Sequence, residues 1–163
     1  MPGKTSQLQI RVTARQKAAL RKRAAAAGLD VSAFVLARAL PPEADRFGDL
    51  VGALASASNP AFALADLNDF LTACPPAAFG AALEDASVAQ LSPLHQNYVA
   101  AMVEQAAQLK RVAPPAWTRE IVPLPEPHFA TPLKSLRTYL LGAAPIAFKR
   151  RNLFVDATVG DRV

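Results

Sequence analysis

Leu8, Ile10 and Val12 alternate with Gln7, Gln9 and Arg11, a period of two that predicts a short strand with one apolar and one polar face. At Thr13 the period changes. Thr13, followed three residues later by Gln16, has capping-box spacing, so a helix is predicted from there to about Ala27. Gly28 ends it, because glycine takes the left-handed conformation without a Cβ penalty. Asp30 or Ser32 is placed to cap a second helix, VSAFVLARAL, which Pro41 and Pro42 stop. Beyond this the chain is rich in alanine, and the pattern predicts helices over 43–56, 60–73, 76–85 and 92–112. Asn59 and Pro60 stand as cap and first-turn residue of the 60–73 helix, and Pro75-Pro76 and Ser92-Pro93 mark joints. Prolines 114, 115, 123, 125, 127 and 132 predict a largely extended path outside any central sheet, followed by a helix over 133–142 and a short strand near 152–155. The expected regions are 1–41, 42–112 and 113–163.

A strand of six or so residues is unstable alone in water, where even an isolated hairpin is marginal. No second strand pattern occurs within the next forty residues. A twin chain is the economical partner, with two copies pairing antiparallel about a two-fold axis and their helices covering the apolar side. Leu8, Ile10, Val12, Leu20, Phe34 and Val35 would then share a dimer core. The plainer alternative is an ordinary edge strand beside a solvated basic helix.

The succession QLQIRV, TARQKAALRKRAAAA, GLDVS and AFVLARAL resembles the ribbon-helix-helix family, which includes Arc-like repressors and many antitoxins. The likeness covers roughly residues 7–41. It implies a mainly α protein: an N-terminal ribbon-helix-helix module for dimerisation and DNA binding, an α-helical region, and a Pro-rich extended C-terminal segment. By position it implies base reading in the major groove by Gln7, Gln9 and Arg11, chemistry that suits glutamine on adenine and arginine on guanine. It further implies phosphate contacts from Thr13 and from Asp30, Val31 and Ser32 at the start of the second helix. Two positions depart from the family pattern. Asp30 sets a carboxylate beside a phosphate, and Lys17 stands where many relatives carry an apolar residue.

Charge adds to this picture through its distribution. The net charge is +5, but residues 1–46 carry +6, residues 47–113 carry −4 and residues 114–163 carry +3. Such asymmetry points to a polyanion-facing N-terminus joined to segments with other tasks. The hydrophobic fraction of 52% excludes a wholly disordered chain. No run approaches the roughly 20 apolar residues of a membrane span, and MPGKTSQLQIRV lacks a signal-peptide core, so a cytoplasmic protein is expected with no membrane partner. Cys74, the single cysteine, can form no internal disulfide and no thiolate metal cluster.

In ribbon-helix-helix antitoxins the additional chain neutralises a toxin. Trp117, Ile121, Val122, Leu124, Phe129 and Leu133, spread along the Pro-rich segment, suit such docking, although the same residues would equally serve to cover the chain's own helices. The C-terminal residues resemble antitoxin-like partners of nucleotidyltransferase-type toxins, which implies that Lys149, Arg150 and Arg151 meet an acidic catalytic pocket. A solvated basic run is the simpler reading of the same three. The expected function is thus a homodimeric antitoxin and autorepressor that binds operator DNA and a cognate toxin. Adaptor or scaffold duty, or a metabolic repressor with a ligand-binding C-terminal domain, are the alternatives. Cys74, His95 and His128 are isolated, and Asp66 and Asp69 form only an i,i+3 pair, so neither catalysis nor a cofactor nor a metal is expected.

Overall fold

In the computed structural model, which describes residues 9–39 and 42–156, the first regular feature is a helix cap. The Thr13 hydroxyl accepts from the Gln16 amide, and Gln16 Oε1 accepts from the Thr13 amide at 2.9 Å, so two orphan donors are satisfied reciprocally. Helix α1 (Ala14–Ala26) follows. It ends in a Schellman motif: Gly28, at φ +67°, donates to Ala25 O, and Leu29 donates to Ala24 O. Asp30 then caps α2 (Val31–Ala39), its carboxylate accepting from the amides of Ser32 and Ala33 at 2.8 and 2.9 Å. These helices make up one compact unit, Met1–Leu40. Ala24 and Phe34 are its buried side chains among the described residues, with Leu20, Val31, Ala33 and Val35 half-buried.

The expected N-terminal ribbon is not found. Residues 9–12 follow an irregular path, with Ile10 61% and Val12 42% exposed, while Gln7 and Leu8 lie outside the described residues. A strand persists only where a neighbour takes up its N–H and C=O groups, and among the described residues no strand pairs with this segment. The fold is mainly α as expected, but its described strands lie near the other end. Ile10 and Val12 therefore do not form a core within one chain.

The second unit, Pro41–Val163, is built on four helices, α3 (Pro42–Ser56), α4 (Pro60–Ala73), α5 (Pro76–Leu83) and α6 (Pro93–Lys110). Asn59 Oδ1 accepts from the Ala61 amide with Pro60 in the first turn of α4, and Ser92 Oγ accepts from the His95 amide at the start of α6. Alanines at 100, 101 and 107 let neighbours approach the buried face of α6 closely. Phe47, Val51 and Leu54 of α3, Leu67, Phe70 and Leu71 of α4, and Phe79 and Leu83 of α5 share one core with it, α4 lying against α6 and α3 against α4 and α5.

The Pro-rich stretch, expected to be extended, instead wraps this core and acquires structure of its own. A 3-10 turn at Ala116–Glu120 lets Trp117 Nε1 donate to Leu83 O at 2.8 Å. Strand β1 (His128–Phe129) pairs in parallel with β2 (Leu153–Phe154), in the register His128 to Leu153. The pairing is possible because residues 128–131 separate Pro127 from Pro132, leaving the amides of His128 and Ala130 free to donate to Asn152 O and Phe154 O. Between the strands lie a 3-10 turn at Lys134–Leu136, α7 (Arg137–Ala143) and α8 (Ile146–Lys149). Phe148, Leu153 and Val155 join the main core, while Leu140, Ala144 and Phe154 form a small satellite against Phe129. Tyr98 meets His128 and Phe148 edge-on, and burial pushes its phenol pKa up from the ordinary value.

Candidate nucleic-acid interface

Helix α1 carries Arg15, Lys17, Arg21, Lys22 and Arg23 and no acidic residue. All five side chains are exposed, as is Arg11 just before the cap. Among the described residues the one ion pair is Glu104–Arg151, in the other unit, so no carboxylate neutralises any of these six cations. The helix is about 20 Å long at the usual rise per residue. Leu20 and Ala24 mark its covered stripe, and the cations are spread over the remaining, solvent-facing surface.

This arrangement works against the helix itself. Lys17 and Arg21 repel at i,i+4, and Arg15 sits in the first turn, at the positive end of the macrodipole. Each effect costs a few tenths of a kcal/mol in an exposed helix. A polyanion laid along α1 would reverse the sign of all of them.

Gln9 and Arg11, expected to read bases, are exposed on the irregular segment before α1. Gln7 lies outside the described residues. At Thr13 and at Asp30 to Ser32, where phosphate contacts are expected, the hydrogen bonds found are the helix caps themselves. Thr13 spends its hydroxyl and amide on Gln16. The amides of Ser32 and Ala33 already serve the Asp30 carboxylate, so the start of α2 holds an internal anion where a phosphate was expected. Val31 is half-buried, and the exposed Ser32 hydroxyl has no partner among the described residues. Of the expected dimer core, Phe34 is buried and Leu20 and Val35 are half-buried within the single chain.

Residues 2–54 match the NikA-like family, described as Mobilization protein NikA. The NikA-like segment thus takes in both helices of the first unit and continues into α3. The match covers about a third of the chain, and its description names mobilization. Neither the curated proteins nor the solved structures yield a match to the chain.

The residues expected to meet a toxin are placed differently from one another. Trp117 is half-buried against the main core. Phe129 stacks on Phe154 at 4.9 Å between ring centroids, and the Arg137 guanidinium lies 4.9 Å over its ring. Lys149 Nζ donates to Gly142 O, closing the end of α7. Arg150 is exposed. Arg151 is buried and bonded within its own unit: a buried guanidinium must be matched by acceptors, and the fold supplies them. No group of three or more metal-ligating side chains occurs among the described residues, and no described helix is long and apolar enough to cross a membrane.

The basic helix expected from the charge distribution takes in Arg15 and Lys17 together with Arg21, Lys22 and Arg23. The signal was there in the complete absence of acids between residues 9 and 29. Nothing local could have shown Glu104 and Asn97 as partners of Arg151, 47 and 54 residues away.

Proposed function

We propose that this chain holds duplex DNA through its N-terminal unit as part of a mobilization or regulatory assembly, and that it does so as a homodimer. The observation that carries the reading is the set of six exposed, unneutralised cations at positions 11, 15, 17, 21, 22 and 23, inside the segment similar to Mobilization protein NikA. Affinity arises chiefly from phosphate neutralisation and counterion release, with Gln9 and Arg11 available to contact base edges. Ile10, Val12, Leu29 and Leu36 are exposed apolar side chains on a unit with little core, and a second copy would cover them. The antitoxin function has no comparable support, since Trp117 and Arg151 are engaged in their own unit.

Fluorescence anisotropy of the full chain with labelled duplex DNA, repeated across a salt series, tests this. Binding should weaken steeply with salt. The triple variant Arg21→Ala, Lys22→Ala, Arg23→Ala should lower affinity and flatten the log–log salt slope by about 1 for each phosphate contact removed. An unchanged slope in that variant would refute the assignment of α1 as the phosphate-facing element.

A further inference from the structure

A cleft of about 590 Å³ opens in the second unit between the C-terminal part of α6, the 3-10 turn at Ala116–Glu120 and α8. Its volume lies within the roughly 300–1,000 Å³ of small-molecule sites. Arg119, Arg150 and Arg151 line it with Glu104, so three cations face one carboxylate and two positive charges are left in excess. Arg151 is bound to Glu104, but its buried Nε has no hydrogen-bond partner among the described residues. Arg119 and Arg150 are exposed, and neither has a side-chain hydrogen bond or ion pair among the described residues. The remaining wall is largely aliphatic, with Ile121 half-buried and Ile146 59% exposed at the opening.

We infer that this cleft binds a small amphipathic anion, a carboxylate or phosphate monoester on an apolar body. Guanidinium groups accept both headgroups in paired, charge-assisted geometry, and the low-dielectric wall strengthens the attraction. The apolar body removes Ile121 and Ile146 from water. A DNA backbone fits less well: its phosphates lie in rows on a convex surface and bring nothing apolar to the aliphatic wall.

The test follows backbone amide shifts of the full-length protein on titration with octyl phosphate and with octanoate. Inorganic phosphate serves as the headgroup alone and 1-octanol as the body alone. Saturable shifts are expected at Ile121, Ala147 and Arg150 with one or both amphiphiles, at least about tenfold tighter than with either fragment. Which amphiphile binds more tightly distinguishes a phosphate from a carboxylate source. The double variant Arg119→Gln, Arg150→Gln alters exposed positions, so it should keep its unfolding temperature and lose about tenfold in affinity. Ile146→Asp should weaken binding as well, by repelling the headgroup and removing apolar wall. Absence of saturable shifts at millimolar amphiphile overturns the inference. So does inorganic phosphate binding as tightly as octyl phosphate, unaltered binding by both variants, or occupancy of the cleft by a glutamate-rich peptide but by neither amphiphile.

Discussion

Arg151 is 5% exposed, and its guanidinium joins pieces of chain that would otherwise only touch. One terminal nitrogen donates to Glu104 Oε1 at 2.7 Å and to Thr118 O, and the other reaches Asn97 Oδ1 and Ile121 O at 3.3 and 3.4 Å. Asn97 in turn donates to Val122 O at 3.0 Å, so α6 and the Pro-rich wrap are pinned within the 3-10 turn and just after it. Removing the cation strands Glu104 and three further acceptors. Arg151→Met should therefore cost about 3 to 5 kcal/mol. Glu104→Gln leaves an acceptor for the same nitrogen and spares the other bonds, so about 1 kcal/mol is expected. Urea unfolding of both variants checks the order, and equal losses would show that the ion pair, not the wider network, carries the stabilisation. The neighbouring Arg150 has the same chemistry and an opposite situation, exposed at the cleft. Nothing in the run Lys149-Arg150-Arg151 distinguishes the two, because burial of one is decided by segments far off in sequence.

Helices α1 and α2 depend on their ends more than on their interiors, since few of their side chains are buried. Thr13→Ala removes the capping-box hydroxyl and should destabilise α1 by about 1 kcal/mol; Asp30→Ala should do the same to α2. Hydrogen exchange at the amides of Gln16, Ser32 and Ala33 reads both losses directly. Asp30→Asn keeps the acceptor and so the cap, while removing a negative charge from the neighbourhood of α1. On the proposed function it should leave exchange unchanged and tighten DNA binding. These caps were legible in the sequence because each acts within three residues: the Thr13 and Gln16 spacing, the Gly28 turn and the Asn59-Pro60 start all appear where the pattern places them. The 113–132 path was not. Proline density forbids helix interiors and central strands, but it does not say that four free residues after Pro127 will find β2, whose partner groups arrive only after α7 and α8 have brought the chain back.

As a whole molecule the chain joins a basic, thinly cored N-terminal unit to a well-filled helical one, each compact in itself. With Ala24 and Phe34 as its buried side chains among the described residues, these gain little from burial against the entropy of ordering the two helices. Self-association is the direct remedy. Sedimentation equilibrium of the full chain should show a dimer, and Ile10→Lys with Leu36→Asp should yield a monomer whose second unit keeps its unfolding transition. A wild-type monomer at concentrations that bind DNA would end the homodimer proposal. By itself the sequence determined the helices and their caps, the basic character of the first forty residues and the lack of any local catalytic pattern, since these depend on spacings of a few residues and on charge counts. Only the tertiary structure decided that residues 9–12 stay out of any sheet, that the Pro-rich stretch wraps α6, and that Arg151 is buried while Arg119 and Arg150 face a cleft. Those outcomes rest on contacts between groups tens of residues apart, where the free energy of burial and of paired charges belongs to the assembled fold and to no short stretch of chain.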